Sequence, residues 1–194
     1  MGGCHHVCRY LYWGVLMLKM RIGKLEQSTG EIWKTETIEL PFEDKDLKAV
    51  FKKLRISKMD EAVIVCFENQ STEILRLLNK INDFETANDT AKKLQAWSKK
   101  KKLLLACIET HSVNSVDELL DLAKNYELVG SYFKTDYGKW YAKKHTKWYG
   151  ALMSDWNAER YFNWQAYTEK IIEEEKHEVI FTRYGALRSK EMVK

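Results

Sequence analysis

The sequence predicts an α+β fold built in three segments. A small α+β unit comes first, then a helical middle, then a mixed α+β unit, together forming an elongated body. Three observations predict this. Residues 31–40 and 62–67 read as strands around one amphipathic helix. Residues 70–125 show helical spacing of apolar side chains and no convincing strand. Residues 161–187 give a helical face, a strand, a glycine turn and a second strand. The segments are expected at 20–69, 70–127 and 128–194, packed end to end with little slack. Residues 1–19 read as an upstream extension, with Met20 or Met17 as the natural start.

The elements follow in order. Arg21 to Leu25 suits a short strand, and Gln27 to Gly30 a polar turn whose glycine tolerates positive φ. Ile32, Lys34, Glu36, Ile38 and Leu40 alternate with Thr35, Thr37 and Glu39, and the later half reads as a half-buried strand. Pro41 cannot donate to a ladder and ends it. Glu43 to Arg55 is a helix: Leu47, Val50, Phe51 and Leu54 share one face. Its first turn is acidic and its last turn basic, which complements the helix dipole. Ala62 to Phe67 is a continuous apolar run suited to a buried strand.

In the middle, Ser71 is placed to cap a helix carrying Ile74, Leu77, Leu78 and Ile81. Ala87, Ala91, Leu94 and Trp97 mark a second helix. Lys99 to Lys102 lead into Leu103, Leu104 and Leu105 of a third, and the four lysines read as a solvated junction. Ser115 and Glu118 form a capping-box pattern ahead of a fourth. Near the end, Tyr161, Trp164, Tyr167, Thr168 and Ile171 make a helical face, and Val179 to Leu187 a strand, turn and strand.

Composition narrows the function. The 194 residues carry 32 basic and 28 acidic side chains, a net charge of +4. With 45% apolar and 12% aromatic residues the chain can bury a core. No apolar run reaches the roughly 18 residues of a membrane span. Four scattered cysteines suit a reducing cytoplasm, with Cys66 and Cys107 as small core residues. Cys4, His5, His6 and Cys8 crowd too closely to close a tetrahedral metal site, and no second ligand pair follows. No phosphate loop or dinucleotide fingerprint is present. His111, His145 and His177 are scattered, and Glu109 or Asp136 near His111 is a pairing that chance supplies. No catalytic residue, metal or cofactor is expected, and an enzyme acting on nucleic acid, which would need a carboxylate cluster or a histidine pair, stays as a further alternative.

Half of the 24 aromatic residues lie between Tyr132 and Tyr167, interleaved with Lys134, Lys139, Lys143, Lys144 and Lys147. Three readings stay open: an aromatic core with solvated lysines, a protein interface, and a surface that stacks on bases while lysines meet phosphates.

Four stretches together resemble the ArdA family of antirestriction proteins from conjugative elements and phages. They are Gly30 to Trp33 leading to Leu40-Pro41 and the helix 43–55; Asp60 to Asn69; Ser71 to Asn79; and Tyr161 to Tyr167 with Phe181 to Gly185. The resemblance spans about residues 20–190. It implies the same three-part fold, a homodimer, and a mimic of bent B-form DNA that fills the DNA groove of type I restriction–modification enzymes. In such a mimic surface carboxylates replace phosphates.

The charge departs from that family, whose members are strongly acidic. Residues 21–70 are net −1, 71–127 net 0 and 128–194 net +3. Two carboxylate groups are candidates for a stripe: Glu36, Glu39, Glu43, Asp44 and Asp46, and Glu169, Glu173, Glu174, Glu175 and Glu178. Lys139, Trp140, Lys143, Lys144 and Trp148 are the cationic and aromatic contact candidates. The expected function is an anti-defence protein acting without catalysis in the host bacterial cytoplasm. Its expected partner is a restriction–modification enzyme, or alternatively a CRISPR effector or its guide RNA. A plain nucleic-acid-binding module using residues 132–167 is the other alternative.

Overall fold

The computed structural model describes residues 18–192 except Gln27 and Lys176. The calls on a start at Met17 and on the cluster from Cys4 to Cys8 lie outside the described residues. The fold is α+β: a three-stranded antiparallel sheet with a helix, a helical middle, and a second three-stranded sheet with helices.

The first sheet has the order β2-β1-β3, with β1 at Leu18–Leu25, β2 at Ile32–Leu40 and β3 at Ala62–Glu68. Strand β1 begins three residues before the expected Arg21, and Leu18 is already buried. Period two puts Leu18, Met20 and Ile22 on the face that also buries Ile38, Leu40 and Phe67. Helix α1, Asp44–Leu54, packs Val50 and Leu54 into this core.

The N-terminus of α1 is closed by a reciprocal capping box between Glu43 and Asp46. Its C-terminus turns on Arg55 at φ 56°, where the Ile56 amide donates to the Phe51 carbonyl at 2.9 Å. The sequence reads Ala62 to Phe67 as buried throughout, but only Phe67 is. Strand β3 is an edge strand and the sheet's other face is open, so Cys66 lies half-buried beside Arg21 and outside the core. Cys107 is buried as expected, and burial pushes its thiol up to about 11.

The middle holds α2 (Thr72–Leu78), α3 (Phe84–Ala96), α4 (Lys101–Thr110) and α5 (Val116–Lys124). Three N-caps start three of them. Ser71 accepts from the Ile74 amide at 3.5 Å, Asp83 from Thr86 at 2.7 Å, and Ser115 from Glu118 at 3.1 Å. The second half of the expected box at Ser115 is shifted: Glu118 accepts from the Asn114 amide at 2.8 Å. Leu103 to Ile108 are all buried, so α4 is the central helix. Of the lysine run, Lys99, Lys100 and Lys102 are exposed, whereas burial lowers the pKa of half-buried Lys101.

The C-terminal unit contains β4 (Tyr126–Val129), α6 (Lys134–His145), α7 (Tyr149–Ser154), α8 (Trp156–Tyr161), α9 (Trp164–Glu175), β5 (His177–Thr182) and β6 (Gly185–Met192). The sheet order is β4-β6-β5. Strand β4 is four residues long, too short for period two to announce it. Gly185 has φ 132°, and a Cβ there would strike the Val129 carbonyl.

One hydrophobic core runs unbroken from Leu18 through the helices to Tyr126 and Leu187. A smaller one gathers Val129, Tyr137 and Ala186. No helix among the described residues is long and apolar enough to cross a membrane.

Two polar groupings tie the middle to the second sheet. Arg183, in the β5–β6 turn, pairs with Glu73 of α2 at 2.8 Å and Glu109 of α4 at 3.1 Å. Glu109 therefore serves Arg183 and does not partner His111. His111 at the end of α4 has Nδ1 2.7 Å from Thr110 Oγ1 and Nε2 3.0 Å from the Tyr126 hydroxyl. That hydroxyl donates to the Glu178 carboxylate. Burial first, and the adjacent carboxylate second, hold the Tyr126 pKa well above its usual value, so the phenol stays protonated.

Replacing Tyr126 by Phe strips both partners of a half-buried network, and is expected to cost about 1–3 kcal/mol in urea unfolding. Asp83→Ala is expected to cost about 1 kcal/mol at neutral pH. The amide bond from Thr86 holds the Asp83 pKa below the usual carboxylate range. Its contribution is therefore complete above the unfolded pKa of about 3.9 and disappears as pH falls through the lower, folded value. Urea curves of Asp83→Ala and the parent protein should accordingly differ at pH 7, with the difference shrinking as pH falls below the usual carboxylate range.

Candidate recognition surface

The aromatic-rich stretch divides between a buried knot and an exposed face. The division starts from one close helix contact. Gly138 of α6 faces Thr168 of α9, and a Cβ at Gly138 would collide with the Thr168 hydroxyl and lie 3.2 Å from the Trp164 carbonyl oxygen. Thr168 is fully buried, and its Oγ1 lies 2.8 Å from the carbonyl oxygens of both Lys134 and Trp164. The two backbones approach because the side chain between them is a hydrogen atom. Lys134 and Glu169 close the same contact at the surface, 3.1 Å apart, and this bond first of all lowers the Glu169 pKa.

On this base sits the knot. Trp164 is buried, with ring centroids of Phe162 at 4.6 Å, Tyr149 at 6.1 Å and Tyr167 at 5.9 Å. Trp148 packs on Phe162 and Tyr167, both at 5.4 Å. Offset and edge contacts of this kind add stability beyond area burial. The expected single face from Tyr161 to Ile171 is split. The helix breaks at Phe162 and Asn163, leaving Trp164, Thr168 and Ile171 buried in α9 and Tyr161 79% exposed at the end of α8.

Against the knot lies an open depression of about 290 Å³ lined by Lys139, Trp156, Glu159, Arg160, Phe162 and Trp164. Asp155 caps α8 by accepting from the Asn157 and Ala158 amides. That fixes Trp156 and Arg160, four residues apart, on one helix face. Trp156 is 74% exposed. Lys139 pairs with Glu159 at 3.2 Å and lies 5.7 Å from the Trp164 ring centroid. The Arg160 guanidinium lies 5.9 Å from the Tyr161 ring.

Of the cationic and aromatic candidates, Lys139 and Trp148 are brought together with this depression or its supporting knot. Trp140 lies along α6 against Tyr137 and His145, with the Lys144 ammonium 5.0 Å from its ring. Lys143 is exposed one turn beyond Lys139.

The acidic candidates are mostly engaged locally. Glu39 pairs with Lys19 at 3.5 Å, and Glu43 with Lys45 at 2.6 Å. Glu43 and Asp46 also form the cap of α1, with Asp44 exposed in its first turn. Glu36 faces Lys53 at 3.9 Å. Glu174 pairs with Lys170 at 3.6 Å and Glu173 is exposed, while Glu175 lies in the last turn of α9 with its side chain outside the described set. Glu178 serves Tyr126.

Trp156, Arg160 and Tyr161 were not among the sequence-based contact candidates. The available signal was Asp155 as a cap, followed by Trp156 and Arg160 at helical spacing. Among the described residues no group of three or more His, Cys, Asp or Glu side chains gathers to hold a metal.

Gly138→Ala drives a methyl group into a fully buried hydroxyl whose one proton is shared between two carbonyl oxygens. It is expected to lower stability by about 1–3 kcal/mol and to change the near-ultraviolet tryptophan dichroism, because the knot rides on this contact. Thermal unfolding and dichroism of the variant check both effects.

No protein-family model matches the chain, and no curated protein matches it.

Proposed function

We propose that this protein is a non-catalytic anti-defence protein of a phage or mobile element, which binds a host nucleic-acid-targeting immune enzyme and occludes it. The observation that carries the reading is the exposed face around Trp156 on a chain whose order of elements resembles ArdA. Large aromatics held outward on a rigid base are recognition groups, since burying them on a partner removes much apolar area at low entropic cost.

A type I restriction–modification enzyme is the first target, on the strength of that resemblance. The mode of contact differs from whole-surface DNA mimicry. A carboxylate with a lysine beside it, or one that caps a helix, presents less net negative charge than an isolated phosphate. Glu39, Glu43, Asp46 and Glu174 are all in that position. The contact face is instead the aromatic and cationic one.

A CRISPR effector is the second target. It is favoured by the cations of this face, since Lys139, Lys143, Lys144, Lys147 and Arg160 stand against only Asp155 and Glu159 between residues 139 and 160. An RNA-loaded nuclease offers anionic surface to such a face.

Expressing the chain in hosts carrying either system should restore plaquing of a targeted phage in at least one of them. The measurement is efficiency of plating with and without expression. Unchanged plating in both hosts contradicts the reading.

A further inference from the structure

We infer that the depression on α8 is a single-strand nucleic-acid site, in which unpaired bases stack on Trp156 and phosphates meet Arg160, Lys143 and Lys147. The inference rests on the reading of this face as the recognition surface and names its occupant.

The chemistry on the page selects that occupant. Trp156 shows most of its ring to solvent, and Phe162 and Trp164 line the same hollow. The hollow is open and has aromatic walls, which suits the face of a planar base. Arg160 lines it too, and its only described contact is the Tyr161 ring. The guanidinium is thus available for a bidentate phosphate contact. Lys143 lies one helical turn beyond Lys139, and Lys147 follows just past the end of α6. Neither has an acidic partner among the described residues. Lys143 therefore extends the positive charge along the face of α6 that carries Lys139, and Lys147 adds a further cation after the extended residue Thr146.

A duplex does not fit the aromatic part of this site, because its bases are already stacked on one another. Stacking on a side chain requires unpaired bases. A wholly apolar protein partner does not fit the cationic part, since burying unpaired lysines is costly.

The test uses the full chain and fluorescein-labelled 20-mers: oligo-dT, oligo-U and a mixed-sequence duplex, followed by anisotropy. The expected result is salt-sensitive binding of at least one single strand, tighter than the duplex. The DNA and RNA arms identify the sugar preferred. With Arg160, Lys143 and Lys147 in contact, the log–log salt slope should be near −2, at about 0.7 per phosphate on a single strand. Trp156→Ala should weaken binding by about tenfold or more, with quenching of tryptophan fluorescence reduced. Arg160→Gln should flatten the salt slope and leave the stacking signal. Trp156 is mostly solvent-exposed, so the variant should keep the parent unfolding curve, and that curve is the folding control.

No binding of either single strand at low salt overturns the inference. So does equal affinity for Trp156→Ala, or tighter binding of the duplex. If Trp156→Ala abolishes protection in the plating assay while no strand binds, the surface is right and the occupant is a protein, which also overturns the inference while leaving the proposed function standing. If single strands bind but no host is protected, the inference stands and the anti-defence reading fails.

Discussion

The approach of α6 to α9 at Gly138 and Thr168 is the constraint on which the C-terminal unit depends. It brings two helices together with no side chain between them on one side and a buried hydroxyl on the other. A threonine hydroxyl that meets two carbonyls in a dry contact is satisfied, and breaking it would leave polar atoms stranded. Once that distance is fixed, Trp164 has one place to go, and Phe162, Tyr149 and Trp148 pack around it. The two short helices α7 and α8 then lie across the knot. Trp148 stays partly open at the edge of the knot, and Trp156 and Tyr161 lie outside it, 74% and 79% exposed.

Most of the fold was legible because its signals are local. The apolar spacing of Leu47, Val50, Phe51 and Leu54, and the caps at Ser71 and Ser115, depend on residues within one or two turns. What escaped was non-local. Strand β4 owes its existence to pairing with β6, some sixty residues away, and four residues carry no period of their own. Cys66 looked buried because an apolar run does not say which face of a sheet is covered. In the aromatic stretch, composition could not say which rings face inward. Trp164 and Trp156 are eight residues apart, both flanked by polar neighbours, and one is buried while the other is exposed.

The charge followed the same logic. A total of +4 is silent about segregation. In the folded chain, acidic side chains meet lysines close at hand along β2, α1 and α9, whereas Lys143 and Lys144 at the end of α6 have no acidic partner among the described residues. The protein is near neutrality as a whole, with many of the candidate acidic side chains paired to nearby lysines, Asp44 and Glu173 exposed, and cations and exposed rings together at α6 and α8.

We propose that this patch, and not a carboxylate stripe, is the working surface. The most direct measurement is protection of a phage in a sensitive host by two charge-altered chains of equal expression and equal unfolding temperature. One carries Glu39→Gln, Asp44→Asn, Glu173→Gln and Glu174→Gln; the other carries Trp156→Ala and Arg160→Gln. The account predicts that the first protects as the parent chain does and the second does not. Loss of protection in the first with full protection in the second would contradict it.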